Sequence, residues 1–378
     1  FFHWPLTMAD GESMRVNVWD FGGQDLYHGT HRLFVKSQAI FLIVWSDKEP
    51  ADKATDPYLV EKQRPLAYWI DYVKSINPSA PILVVQQKCD SPADEQPLPT
   101  EAGEYLHRHV SAQENRGIES IKETLGELFG QCLEEMKQRP VGIGRLEVKQ
   151  QLRVWQDEDE KLVQGNKKHQ LLSKDRFHAL CAEQGERISS AEMLLKYLHD
   201  TGVLYYQTAL FNEQIILDQR WALDAIYTVF DREARVSDKM RLEKGRVTPQ
   251  QLNDWVWGQQ GFSEQEQELF LKMMRSCEIC FVSKFDDYRY RPTEYIVPFY
   301  LPQPTTVELK SWNRAFAHDT THLWFEHRVL HDAIMQRFIV EVGKVFGSES
   351  LVEYRKDTVW LAAHDDSLCI LISCHSEA

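Results

Sequence analysis

Two rhythms of apolar residues organise the first third of the chain. Val16 and Val18 share one face of Arg15-Val16-Asn17-Val18-Trp19, the alternation of a strand with one buried side. Ala39-Ile40-Phe41-Leu42-Ile43-Val44-Trp45 and Pro81-Ile82-Leu83-Val84-Val85 are continuous apolar runs, which predicts strands buried on both faces. Between them, Pro57 to Ile76 carries Leu59, Leu66, Trp69, Ile70 and Val73 at helical spacing. A further strand is expected at Tyr105–Val110. The segment Gly117–Met136 then sets Ile118, Ile121, Leu125, Leu128 and Cys132 on one helical stripe. Strands alternating with helices in this way predict an α/β domain with a parallel sheet covered on both sides.

Gln138-Arg139-Pro140-Val141-Gly142-Ile143-Gly144 breaks the pattern, so a linker is expected over 138–150. The middle third reads as mainly helical. Ser173 and Ser189 open helices ending near Ala182 and Asp200, Thr201-Gly202 stops the second, and Val203–Tyr206 with Gln214–Leu217 predicts a hairpin. Two helices and a hairpin form a winged-helix pattern. Helices are expected at Trp221–Asp231, Pro249–Trp257 and Ser263–Cys277, the last opened by a Ser263/Glu266 capping box. From Tyr295 the character turns to strands: Tyr295–Tyr300, Leu323–Glu326, Ser350–Arg355, Thr358–Ala362 and Leu368–Ser373, with a helix over His331–Gly343. A small α+β module is expected after a boundary near Pro298.

With 378 residues the chain has room for two to three domains of about 150 residues each. Its 43 basic and 57 acidic residues give a net charge of -14, which repels phosphate backbones and anionic membranes and argues against a nucleic-acid partner. The winged-helix pattern does not change this, because its second helix carries Glu192, Lys196, His199 and Asp200 rather than a basic reading face. The longest apolar run, Ala39–Trp45, is far short of the ~20 residues of a membrane span. Seven scattered cysteines form no disulfide framework, so a reducing cytoplasm is expected.

The strongest chemical signal is Trp19-Asp20-Phe21-Gly22-Gly23-Gln24, directly after a strand. Asp20 can hold Mg²⁺, directly or through water; Gly22 and Gly23 let backbone N–H groups approach a terminal phosphate; Gln24 can orient an attacking water. The same residues also make an ordinary turn leaving a strand. Gln87-Lys88-Cys89-Asp90 follows the next buried strand, where the Asp90 carboxylate can accept two hydrogen bonds from one edge of guanine while the Lys88 stem lies over the base. Ser111-Ala112 follows a third strand, where a backbone N–H can meet the guanine carbonyl. Each piece is common alone; their order at successive strand ends is informative.

Other candidates read as structure. Cys277-Glu278-Ile279-Cys280 is a lone C-x-x-C without a second pair for zinc, and is expected to be packed thiols. His327 and His331 lack the zinc-protease order. His28, His31 and Arg32 follow Gln24 and suit either a mobile phosphate-side segment or a plain helix face. Trp312, Trp324 and Trp360 suit either interface anchors or the core of the last module.

The three motifs together resemble a Ras-like small GTPase domain of the Roc type. The stretch Tyr197-Leu198-His199-Asp200-Thr201-Gly202-Val203-Leu204, with Ile215-Ile216-Leu217-Asp218 and Trp221-Ala222-Leu223-Asp224-Ala225-Ile226-Tyr227, resembles the COR domain that follows Roc in Roco proteins. The resemblance implies a bacterial-type Roco protein with no kinase in this chain: Roc at 1–137, COR-A at 151–298 and a dimerising COR-B at 299–378. It implies GTP and GDP as ligands, Mg²⁺ at Asp20, catalysis by Gln24, and nucleotide contacts from Gly22, Gly23, Gln87, Lys88, Asp90, Ser111 and Ala112. Two departures stand out. No G-x-x-x-x-G-K-[ST] occurs, so the family's first strand and phosphate loop are expected before Phe1. Gln87 replaces the family's loop-tying Asn, which implies weaker binding or selectivity and leaves open a dimerisation scaffold with a degenerate nucleotide site.

Overall fold

A computed structural model describes residues 2–7, 13–20, 39–48, 65–137, 142–162, 167–206, 214–230, 236–286, 290–315, 332–347, 352–362 and 369–373. The chain divides into two compact units: 1–24, 32–154 and 177–203 in the first, and 25–31, 155–176 and 204–378 in the second.

The first unit begins with an antiparallel ribbon, β1 (Phe2–Thr7) and β2 (Ser13–Val18), in which Trp4 lies opposite Val16. The hydrophobic pattern predicts only β2. Pro5 interrupts the β1 run, and proline is tolerated in a strand only at an edge. Three parallel strands follow: β3 (Phe41–Trp45), β4 (Ile82–Gln86) and β5 (Leu106–His109), with β4 in the middle. The helices α1 (Leu66–Ile76) and α2 (Ile118–Lys137) take the helical stripes anticipated for them. The expected start of α1 at Pro57 lies outside the described residues.

Strand alternation sorts the core into two layers. Ile82 and Val84 face Ile43, Leu66, Ile70 and Val73. Leu83 and Val85 face Ile121, Leu125 and Leu128, with Trp4 and Val16 of the ribbon packed alongside. All five residues of β4 are buried, as its continuous apolar run requires. β3 departs from the same expectation: Leu42 is 43% and Val44 50% exposed. α1 covers one side of β3, while the α2 layer is built on Leu83 and Val85 of β4 and leaves Leu42 and Val44 in solvent.

α3 (Ile143–Glu160) begins inside the stretch expected as a linker, so 143–150 is helical. Pro140 and Gly142 both precede the helix in sequence, where such residues mark its start rather than a longer break. Next come β6 (Leu171–Ser173), α4 (Lys174–Ala182) and α5 (Ala191–Asp200), whose Ser190 hydroxyl caps the Met193 N–H. In the second unit β7 (Gln214–Ile216) pairs with β6; the expected hairpin partner, 203–206, contributes a single bridge at Tyr205.

α6 (Gln219–Tyr227), α7 (Val236–Leu242), β8 (Arg246–Val247), α8 (Pro249–Leu252) and α9 (Glu264–Ser276) continue the second unit. The Ser263/Glu266 capping box forms as anticipated, with the Ser263 N–H on the Glu266 carboxylate at 2.7 Å. β9 (Phe281–Phe285) and β10 (Pro292–Ile296) complete a sheet with β8. α10 (Thr306–Ala315), α11 (Asp332–Phe346) and the meander β11 (Val352–Arg355), β12 (Thr358–Ala362), β13 (Cys369–Ser373) end the chain.

Phe281 and Ile296 share one core with Leu301, Met335, Ile339, Val340, Val352, Tyr354 and Val359. The expected break near Pro298 therefore runs through a continuous core. Trp312 is only 4% exposed and stacks on Trp360 at 5.7 Å between ring centres, which makes it a core residue rather than an interface anchor.

Gly343 of α11 sits against the Phe281 ring so closely that a methyl group would overlap it. Alanine gains about 1 kcal/mol of helix propensity over glycine. Overpacking a fixed ring costs about 1–3 kcal/mol, and Phe281 is only 1% exposed. Gly343→Ala is expected to lower the melting temperature by several degrees in a thermal denaturation scan; a rise would show that Phe281 yields.

Candidate functional site

The site is built at the carboxyl ends of β3, β4 and β5. The parallel ladder continues past β4: the Gln87 N–H donates to the Trp45 carbonyl and the Cys89 N–H to the Val110 carbonyl, both at 2.9 Å. Residues 87 and 89 are thus anchored to the two neighbouring strands. Cys89 is wholly buried, and burial raises its thiol pKa. Gln87, Lys88 and Asp90 are exposed. Lys88 turns the chain through a left-handed φ of 64°, uncommon for a residue with a side chain.

Asp90 and Ser111 are brought together as the motif reading anticipates. The Ser111 hydroxyl donates to the Asp90 carboxylate at 2.5 Å and accepts from the Glu114 N–H at 3.0 Å. Ser111 is fully buried while Ala112 is exposed. Their turn is closed by reciprocal backbone bonds between Ser111 and Arg116 at 3.0 Å. Gly117 follows with φ 76°, and a Cβ there would run into the His109 carbonyl, so only glycine fits between this turn and α2.

A second ring of residues supports these loops, and motif reasoning missed it. Gln86, fully buried, donates to Asp47 at 3.2 Å and to the Asp94 carbonyl at 3.0 Å, and accepts from the Gln96 N–H at 2.8 Å. The tying of loops thus falls to Gln86, one residue before the position where the sequence raised a doubt about Gln87. Lys48 donates to the Lys88 carbonyl at 2.7 Å and pairs with Asp94 at 2.9 Å. Arg116 donates to the Cys89 carbonyl at 3.2 Å and pairs with Glu95. The available signals were a polar residue ending an apolar strand and the Ser91-x-x-Asp94 cap.

The electrostatics follow this geometry. The Lys48 hydrogen bond, aided by the Ser91 N–H and hydroxyl, holds the Asp94 carboxyl down at about 2, and Asp94 in turn raises the Lys48 ammonium. Arg116 lowers Glu95 in the same way.

Asp20 follows β2 and is exposed. Gly22, Gly23 and Gln24 lie outside the described residues, as do His28, His31, Arg32, Trp324, His327 and His331. Among the described residues no group of three or more metal-ligating side chains assembles. The single carboxylate of Asp20 suits Mg²⁺, which takes one or two protein carboxylates and completes its shell with phosphate oxygens and water. Cys277 and Cys280 are buried free thiols. Burial raises both, Cys280 to about 12, which suits packing rather than reactivity. Among the described residues no helix is long and apolar enough to cross a membrane.

Comparison with known proteins places this arrangement. Residues 3–90 match the family described as "Ras of Complex, Roc, domain of DAPkinase", and residues 153–301 match "C-terminal of Roc, COR-A domain". Asp20 and Gln87–Asp90 fall inside the first match; Ser111 and Ala112 lie beyond it. A "Roc-COR-CHAT protease" of Runella zeae is 25% identical over 279 residues, covering 71% of this chain and 28% of that protein. The chain thus spans little more than a quarter of that relative. "Ras-related protein Rab-5B" of Plasmodium falciparum is 28% identical over 93 residues, 24% of this chain and 40% of that protein. Among solved structures, Methanosarcina barkeri Roco2 RocCORdC bound to GDP superposes with a TM-score of 0.55 at 20% identity, covering 79% of this chain and 84% of that one. The fold is a Ras-like α/β domain followed by COR. The chain belongs to the Roco family.

Because the carboxyl of Asp94 lies below its unfolded value of ~3.9, the pairing stabilises the loop above that pH and is lost as pH falls through about 2. Carboxyl-carbon NMR is expected to show Asp94 titrating near 2, and Lys48→Met to bring it back toward the ordinary range. An ordinary midpoint in the unmodified protein would remove the Lys48–Asp94 latch.

Proposed function

We propose that this chain is a guanine-nucleotide switch whose Roc domain binds GTP and GDP and hydrolyses GTP slowly. The observation that carries the reading is the exposed Asp90 carboxylate, steadied by Ser111 at the end of a buried parallel strand. A carboxylate there accepts from both the N1–H and the exocyclic amine of guanine, a pair of donors adenine does not present on one edge. Lys88 lies along the base, Gln87 lines its approach, and the Ala112 N–H closes over the guanine carbonyl, with the buried Ser111 behind it bonded to Asp90. The GDP bound to the Methanosarcina barkeri Roco2 structure supports the ligand class.

For hydrolysis, Gly22 and Gly23 bring backbone N–H groups to the γ-phosphate and Gln24 holds a water in line with it. Asp20 would hold Mg²⁺, directly or through water, and the ion when bound would supply charge neutralisation. Positioning and charge stabilisation dominate such chemistry.

The domain limits proposed are Roc at 1–137, COR-A at 151–298 and COR-B at 299–378, with Phe281 and Ile296 contributing to a core shared across the last limit and COR-B forming a homodimer. The second reading is a dimerisation scaffold with a degenerate nucleotide site, for which Gln87 in place of Asn is the hint.

Titration of full-length protein with fluorescent GDP tests the proposal. Asp90→Asn replaces an acceptor carboxylate, and hydrogen bonds to a charged group are worth ~1.5–3 kcal/mol. The variant is expected to bind GDP about tenfold to a hundredfold more weakly. Gln24→Leu is expected to bind normally and hydrolyse more slowly; unchanged turnover would remove Gln24 from the mechanism. Absence of micromolar binding by the unmodified protein would favour the scaffold. A monomer mass by light scattering would exclude the COR-B dimer.

A further inference from the structure

We infer that Lys48 and Arg116 are positioning residues for base recognition: each grips one carbonyl of the Gln87–Asp90 turn from a different loop, and together they aim Asp90. The inference rests on the guanine reading above and adds the source of the turn's rigidity.

The turn has to be held. Lys88 sits at φ 64°, a conformation that a residue with a Cβ keeps only where its surroundings over-determine it. Backbone bonds fix its flanks, through the Gln87 and Cys89 N–H groups. They leave the carbonyls of Lys88 and Cys89, which point away from the ladder. Lys48, forty residues away in sequence, takes the first, and Arg116, twenty-seven residues away, takes the second. The Cys89 carbonyl belongs to the peptide that leads into Asp90 and the Lys88 carbonyl to the peptide before it, so the two tethers act on consecutive peptides of the backbone that carries Asp90.

The two cations are themselves held by adjacent carboxylates, Lys48 by Asp94 and Arg116 by Glu95. Both carboxylates belong to the segment that the buried Gln86 side chain binds at the Asp94 carbonyl and the Gln96 N–H. A chain of contacts therefore leads from the strand interior at Gln86, through Asp94 and Glu95, to Lys48 and Arg116, and on to the turn. An exposed ion pair alone contributes little. These two differ because each cation also satisfies a carbonyl beside a left-handed residue.

The test uses full-length protein and compares fluorescent GDP with fluorescent IDP, whose hypoxanthine lacks the exocyclic amine that a correctly aimed Asp90 accepts from. Lys48→Met keeps the stem and removes the donor. It is expected to weaken GDP binding about tenfold, or about 1.4 kcal/mol, and IDP, which keeps only the N1–H donor, by clearly less, so the preference for GDP narrows. Arg116→Gln should do the same and supplies the result if the Lys48 variant does not fold; Lys48→Arg should restore the preference. GDP and IDP affinities falling in parallel would mark a merely structural role and overturn the inference. Unchanged GDP binding in both variants would overturn it too while leaving the guanine reading intact. An unmodified protein that binds neither nucleotide would overturn both.

Discussion

The register of one parallel strand governs the candidate site. β4 is buried on both faces, so its side chains cannot shift without exposing Leu83 and Val85 or Ile82 and Val84. With that register locked, the ladder can run on past Gln86, and the bonds from Gln87 to β3 and from Cys89 to Val110 follow. The left-handed turn at Lys88 then breaks the alternation, leaving 87, 88 and 90 exposed while Cys89 is buried at the end of the sheet. Apolar burial thus decides where Asp90 stands, and polar contacts decide how firmly it stands there.

Those polar contacts are graded by burial. Gln86, fully enclosed, satisfies three partners, as a buried amide must. Ser111, equally enclosed, both donates and accepts. Lys48 and Arg116 are half-exposed and work as tethers between loops. A loop built this way keeps its backbone fixed while leaving its recognising side chains in solvent, the combination a reversible ligand requires.

In the second unit, one core joins the β9–β10 hairpin to α11 and the C-terminal meander. The close approach of Gly343 to Phe281 lets the helix lie directly on the β9 ring. Phe281 and Ile296 are therefore buried in the same core as residues of α11, β11 and β12. Arg355 closes its periphery, paired with Glu308 and Glu353 and lying over the Trp312 ring.

Local pattern determined much of this. Continuous apolar runs marked β3 and β4, stripes marked α1 and α2, and Ser263 with Glu266 marked a helix start, because burial and capping are read within a few residues. The motif order also identified Asp90 and Ser111 as neighbours, since successive parallel strand ends converge. Tertiary structure alone decided the rest. β1 was hidden by Pro5, whose tolerance depends on an edge position. The exposure of Leu42 and Val44 depends on what covers β3, and the joining of residues 281–296 to the last module depends on packing across long separations. The tethers from Lys48 and Arg116 were invisible for the same reason: a lysine and an arginine on two distant loops carry no local sign that their charges will meet the same turn.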